Sequence, residues 1–372
     1  MKIIKTVTLS LISCLILNAC KNDSKEEPEP LQKVDVPEFY KSNEKIAPIF
    51  LVIASSTSNI SIPQDLDFNP TRDNELWVIN KGTEATGGST AMFTQPGTPG
   101  QLNDYRKDGN AWHFMSLPSA LSFSNTGNWA TSANVQDANH QGGIFTGPTL
   151  WSGNLNIYAK YAGPGTNGSH LDMLHGSPYC MGIESEKDNI YWVFDGYNKH
   201  IVKYNFGSDH GPGNDDHNDG KIHRYKEVQI LRNPLVPSHM VLDKDKKWLY
   251  IVDGGNKKVL RMDINTGSKL KNLANTNEVL AEHWEMSSVV WEEFLPVSFG
   301  LKQPCGIDIK DNRLFISDYE TGEIVCVDIT TKKEIARVNT GKKGIMGIKI
   351  GPEGKLWFVN SISSELLRLD QQ

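Results

Sequence analysis

A short unit of three apolar strands recurs six times along this chain, and that recurrence restricts the fold more than any single motif does. The second strand of the unit reads ELWVIN ending at Asn80, NWATS ending at Ser132, IYWVFD ending at Asp195, WLYIVD ending at Asp253, RLFISD ending at Asp318 and KLWFVN ending at Asn360. Each copy carries an aromatic at one place: Trp77, Trp129, Trp192, Tyr250, Phe315 and Trp357. Each ends in a small polar side chain suited to hydrogen-bonding the backbone of a following turn. Upstream lies a first strand, PQDLDF, PSALSF, PYCMGIE, PSHMVLD, PCGIDI or IMGIKI, which proline opens in every copy but the last. A third strand follows, plain in HIVKYNF, KVLRMDI, EIVCVDI and ELLRLD.

Copies spaced by about forty to sixty-seven residues fit the blades of a β-propeller. One twisted sheet cannot cover both of its faces, whereas sheets packed radially cover one another and leave only short edges. The expected fold is therefore all-β, a six-bladed β-propeller over residues 46–372, with the six aromatics filling the wedges between blades. The last copy ends at Gln372 without an outer strand, while IAPIFLVIASS, from Ile46 to Ser56, precedes the first copy with nothing to pair with. The N-terminal strand is expected to complete the last blade and close the ring.

Proline, a small or polar residue, Gly-Ile, an acidic or glycine turn, an aromatic strand ending in Asp, then Asn and a basic third strand together resemble the NHL repeat. The pattern is best seen in residues 178–204, 237–263 and 304–328, and is weakest in the second copy, where NVQDANHQGGIFTGPTLWSG intervenes. The resemblance implies architecture but no activity, since propellers of this sort serve as binding platforms, hydrolases and lyases.

The N-terminus reads as an address. Lys2 and Lys5 precede an apolar run from Val7 to Ile16, which ends in Leu17-Asn18-Ala19-Cys20. About ten apolar residues are too few for a membrane-spanning helix. The pattern resembles a bacterial lipoprotein signal peptide over residues 1–20, in which Cys20 would be acylated. Residues 21–45 begin KNDSKEEPEPLQ, lack apolar periodicity and read as a flexible tether. These features imply an outer-membrane lipoprotein, facing the periplasm or exposed at the surface, that meets the membrane through its lipid. A net charge of -6 without a clustered basic face argues against a nucleic-acid partner. With Cys14 in the leader and Cys20 lipidated, Cys180, Cys305 and Cys326 remain, an odd set that reads as buried thiols.

Seven of the ten histidines fall between His170 and His239. His175 precedes the first strand of the third copy and His239 begins that of the fourth, where Cys180 stands one copy earlier. Neutral imidazoles converging on a channel can hold zinc, copper or iron, with Asp172 orienting them. The same residues can equally serve as hydrogen-bonded loop and strand ends. His170, Cys180 and Cys305 are further candidates to line a ligand site. A second constellation lies in GSDHGPGNDDHNDGKIHRY, residues 207–225, a long hairpin loop. There Asp215, His217, Asp219 and Gly220 follow part of the alternating pattern of a calcium loop, without its closing Glu. The loop is either a cation site, for calcium or a metal that prefers histidine, or a solvated hairpin tip. Glu282, His283, Trp284 and Glu285 suit the outer strand of the fourth blade.

Among enzymes of this architecture the chain is distantly similar to peptidyl-hydroxyglycine lyases, whose channel histidines bind zinc. His239 matches that placement, but the other strand starts carry Cys180, Pro304 and Ile345. Lactonase-like propellers use channel carboxylates, and Asp65, Glu184, Asp243 and Asp308 are not expected to share one depth. Two readings follow: a non-catalytic platform for a glycan, peptide or protein, and a lyase or hydrolase dependent on a divalent metal, zinc or calcium.

Overall fold

The computed structural model describes residues 36–40, 46–160, 167–214, 216–275 and 277–372. The signal peptide and Cys20 lie outside these residues.

Strand β1 spans Ile49–Ala54. Blade one is β2 (Pro63–Phe68), β3 (Glu75–Thr83), β4 (Gly87–Thr94) and β5 (Leu102–Arg106), followed by a one-turn helix α1 (Ala111–Phe114). Blade two is β6 (Pro118–Phe123), β7 (Trp129–Ala133), β8 (Thr149–Trp151) and β9 (His170–Met173). Blade three begins with β10 (Cys180–Lys187), β11 (Ile190–Asp195), β12 (His200–Asn205) and β13 (Lys221–Gln229). Blade four opens with β14 (Met240–Asp243), β15 (Trp248–Asp253) and β16 (Lys258–Asp263). The chain then leaves for a hairpin, β17 (Ser268–Asn272) and β18 (Glu282–Ser287), and returns to finish blade four with β19 (Trp291–Leu295). Blade five is β20 (Pro304–Lys310), β21 (Arg313–Asp318), β22 (Glu323–Asp328) and β23 (Glu334–Asn339). Blade six is β24 (Ile345–Ile350), β25 (Leu356–Asn360) and β26 (Glu365–Asp370).

The first strands β2, β6, β10, β14, β20 and β24 touch one another in a closed cycle around the axis. The ring is closed as expected. β1 pairs antiparallel with β26, with Ile49 opposite Asp370, so one blade is built from both ends of the sequence. Six buried apolar clusters correspond one to one to the six interfaces between neighbouring blades. Trp77, Trp192, Tyr250, Phe315 and Trp357 are all buried, and each faces the next blade in the ring.

Blade two departs from the expected alignment by one residue. Pro118 pairs with Ala133 as Pro63 pairs with Asn80, which puts Ala130, not Trp129, at the repeat position. Trp129 turns back into the interface between blades one and two, where Trp77, Trp151 and Tyr158 surround it. The glycines of the Gly-Ile signature answer a close approach between first strands. A Cβ at Gly182 would lie 2.1 Å from the Ser238 carbonyl oxygen, and one at Gly306 would lie 2.3 Å from that of Met346.

The polar residue ending the second strand binds the following turn in blades three to six, through Asp195, Asp253, Asp318 and Asn360, and in several blades it fastens the segment that enters the blade. Asp253 accepts from the Asn256 and Leu231 amides, Asp318 from those of Lys302 and Thr321, and Asn80 from that of Ser61.

Two expectations are corrected. Residues 36–40, assigned from the sequence to the tether, are docked: Val36 and Phe39 are buried between blades five and six, and Glu38 makes a two-pronged ion pair with Arg313. Phe39 meets Phe315 edge-on at 5.5 Å. The apolar spacing of Val36, Phe39 and Tyr40 supplies what the charged stretch before it lacks. The second correction concerns LAEHWEMSSVVWEEF, which is two strands in different blades. β18 pairs parallel with β13 and enlarges blade three to six strands, and only β19 belongs to blade four. Ser288, in the left-handed region at φ 60°, breaks the run, and Glu227 of blade three accepts the Ser288 and Val289 amides at the break.

Candidate functional site

Each first strand runs from an upper face, where the segments joining blades and the turns from second to third strands lie, to a lower face of turns joining first to second strands. The lower turns hold residues 69–74, 124–128, 188–189, 244–247, 311–312 and 351–355, with no large apolar side chain among them. The segments of the upper face differ from these turns. Ile62, Trp112, Tyr197, Leu231 and Val297 are exposed there, with Leu235 at 75% and Ile362 at 63%.

A cleft of about 450 Å³ opens on this upper face over blades one to four. It is lined by Lys81 and Glu84 of blade one, Leu117 before β6, Asn134 to Asp137, His140 and Gly142 of the blade-two insert, Tyr179 before β10, and Arg232 and Pro234 before β14. The insert is held across the cleft by His140, which bonds Glu84 Oε1 at 3.0 Å and the Trp112 carbonyl at 2.9 Å. Burial opposes the charge on His140, but those acceptors outweigh it and lift its pKa. Burial likewise pushes the Asp137 carboxyl up, but the backbone N–H groups of Gly143, Asn139 and Gln141 more than offset it and hold the pKa below the usual carboxylate range. The two acids of the cleft are thus engaged by the protein. Its two remaining cations, Lys81 and Arg232, form no ion pair with a described carboxylate. The Arg232 guanidinium lies 3.9 Å from the Tyr179 ring centroid, its buried Nε has no hydrogen-bond partner, and burial lowers its pKa. A half-buried guanidinium on an aromatic face is an acceptor-seeking group.

Below the cleft, the channel holds a tier of side chains read from strand register. Asp67, Ser122, Glu184, Val241, Asp308 and Lys349 stand opposite Trp77, Ala130, Trp192, Tyr250, Phe315 and Trp357. Four of the six reach to the next first strand: Asp67 accepts from the Phe123 amide, Ser122 from Ser185, Glu184 from Leu242 and Asp308 from Ile350. Glu184 and Asp308 therefore do share one depth, together with Asp67. Asp65 stands two residues nearer the upper face and Asp243 two residues farther from it than this position. Burial raises the pKa of Asp65, Glu184 and Asp308. Burial disfavours the Lys349 ammonium too, but Asp67, Glu184, Asp308 and Asp65 hold its pKa above the ordinary lysine range. Its Nζ is 3.7 Å from Asp67 Oδ1.

The histidines expected at the channel mouth separate. His239 enters the channel, with Nε2 3.0 Å from the Ser119 carbonyl and Nδ1 3.6 Å from Asp65. Cys305 and Cys180 are buried close by: the His239 amide bonds the Cys305 carbonyl, Ser119 bonds that of Cys180, and burial raises both thiols. His175 instead lies at the outer edge between blades two and three, bonded to Glu278 and stacked on Phe145. His175 and His239 have no partner in common, so the pair does not converge on one ion. Asp172 and His170 sit on β9, the outermost strand of blade two; His170 stacks on Phe114, and Asp172 lies 3.8 Å from His217. The hairpin loop also divides. Asp215 lies outside the described residues. Asp219 accepts from the Ser208 amide and His210, while His217 turns towards Glu278. Glu278, Asp67 and Lys349 were missed from sequence. The last two carried a usable signal, since they occupy the column of Glu184 and Asp308 once the copies are aligned.

No protein family matches the chain, and no curated protein matches it. Solved structures share the fold. A luciferin-regenerating enzyme aligns at TM-score 0.55 and 11% identity, over 87% of this chain and 95% of that one. An auxiliary nutrient binding protein from Bacteroides thetaiotaomicron aligns at 0.53 and 10%, over 82% and 68%. The calcium-binding protein regucalcin from Agrobacterium tumefaciens aligns at 0.51 and 12%, over 86% and 92%.

Proposed function

We propose that this propeller is a ligand-binding protein, held to the outer membrane through a lipid on Cys20, and that its upper cleft takes an acidic oligosaccharide. The observation that carries the reading is the pairing of Arg232 with Tyr179 in that cleft: a planar cation for a carboxylate and an aromatic face for a sugar ring. Asn134, whose buried Oδ1 has no hydrogen-bond partner, adds a neutral acceptor suited to a hydroxyl group, and the rim of exposed apolar side chains extends the surface for a longer chain. The nutrient binding protein from Bacteroides thetaiotaomicron, alike in fold, lends the reading support.

Orientation supports it as well. Residues 36–40 are fastened by Arg313, the first residue of β21, at the lower face, and Ile49 pairs with Asp370 at the same end. A tether that leaves from the lower face turns the cleft away from the membrane.

The test is titration of the purified domain with uronic-acid-containing and neutral oligosaccharides, followed by calorimetry. Binding of the acidic series, weakened about tenfold or more in Arg232→Ala and Tyr179→Ala, is the expected result. Equal affinity for neutral sugars, or affinity indifferent to both substitutions, overturns it.

A further inference from the structure

Away from the cleft and the channel, three loops from different parts of the fold bring two imidazoles and a carboxylate together. His175 comes from the segment joining β9 to β10, His217 from the loop between β12 and β13, and Glu278 from the loop between β17 and β18. One ligand atom from each lies within 4.8 Å of the others, and this is the one such group among the described residues.

The arrangement is built rather than incidental. The His175 backbone amide donates to Glu278 Oε1 at 2.8 Å, which turns Oε2 towards the rings. Oε2 then meets His175 Nδ1, and lies 3.2 Å from His217 Nδ1. The two imidazoles are nearly parallel, 9° apart, and Phe145 stacks on the outer side of His175 at 3.6 Å. His175 is 5% exposed and its Nε2 has no hydrogen-bond partner. Asp172 Oδ1 lies 3.8 Å from His217 Nε2, placed to orient that ring. A nearly enclosed carboxylate between two imidazoles is stabilised by a positive charge, which a bound cation supplies in place of an imidazolium.

We infer that His175, His217 and Glu278 form a binding site for a divalent transition metal, zinc by its donor set, which clips the blade-three hairpin to the edge of blade two. Two nitrogens and one oxygen suit a borderline cation rather than calcium or magnesium, and three protein ligands leave a position for water. The ion joins segments far apart in sequence. Its effect is to fasten the β17–β18 hairpin to the rest of the fold, because Glu278 is that hairpin's own loop residue. The inference is independent of what the upper cleft binds.

Purified protein is stripped with chelator and titrated with zinc and with cobalt(II), following visible ligand-field bands, metal content and melting temperature. One equivalent should bind, with the intense bands of a four-coordinate cobalt site and a rise in melting temperature that chelator reverses. His217→Ala and Glu278→Gln, the latter keeping an acceptor for the His175 amide, should each weaken binding by about 100-fold or more while keeping the metal-free melt. Absence of stoichiometric metal, binding unchanged in both variants, or loss in His239→Ala with retention in His217→Ala overturns the site.

Discussion

Blades three and six face each other across the channel, and each departs from the plan of consecutive strands in its own way. Blade six borrows its outer strand from the opposite end of the chain; blade three receives two extra strands from within blade four. The borrowed strand fills an otherwise missing outer position and shuts the ring, so all six interfaces depend on it. The added hairpin instead lies outside a ring that is already complete, where it covers an edge and joins two adjacent blades. Closure and accretion therefore differ in what they hold: the first sustains the fold, the second a local structure with Glu278, the proposed metal ligand, at its tip. Lys349 of blade six and Glu184 of blade three connect the two across the axis.

That contrast breaks most readily by deletion. Removal of residues 46–54 should abolish the cooperative melt, and a variant that still melts sharply near the full-length temperature would make blade six no different from blade three. The next effect is Lys349→Met, which leaves Asp67, Glu184 and Asp308 without their shared cation; a loss of about 3 kcal/mol is expected in chemical denaturation. Replacing residues 268–287 by a short Gly-Ser link exposes Tyr225 and removes Met286 and Trp284 from the interface of blades three and four. This should lower stability by about 2 kcal/mol and leave one cooperative transition. Loss of all cooperativity would show that the hairpin, too, is part of closure.

The smallest effect is a pH dependence confined to blade three. His283 on β18 is pushed down to about 4 by burial and by Arg224, whose Nε donates to its Nε2 at 3.0 Å; Lys226 acts the same way, and Ala274 and Glu278 oppose it. His223 on β13 is also lowered, by burial first, against the pull of Glu282. Each binds a proton less readily in the fold than in the unfolded chain, so each stabilises the fold above pH 6.5; the contribution of His283 is lost as pH falls towards about 4, and that of His223 falls in the same direction. Hydrogen-exchange protection factors, corrected for the intrinsic pH dependence of exchange, should fall at β17 and β18 over that window while those at β1 and β26 hold. An equal fall in blade six would dissolve the distinction.

How far the sequence discloses this depends on whether a feature repeats. The ring was legible because the column from Trp77 to Trp357 serves the same wedge in five blades, and because Ile46–Ser56 and ELLRLD each lacked a partner. The channel tier was written in that same column, but it emerges only once Glu184, Asp308 and Lys349 are aligned on strand pairing rather than on proline. Blade two misled because tryptophan stands beside the repeat position and is buried either way. The hairpin was not legible: parallel pairing of β18 with β13 leaves no local pattern, and EHWEMS has the alternation of an outer strand in any blade. Glu278, in a loop that approaches His175 only through this pairing, could not be found without it.

The seam between β1 and β26 also sets an order of events. Ile49 leaves the ribosome long before Asp370, so a strand of five apolar residues and an alanine waits unpaired until β26 has been made. Closing so long a loop adds an entropic penalty of about 5 kcal/mol that no local contact offsets in advance. Five blades can therefore assemble in sequence, but the sixth waits for β26 to emerge, and until then IFLVIA is an open edge for which chaperones and neighbouring chains compete.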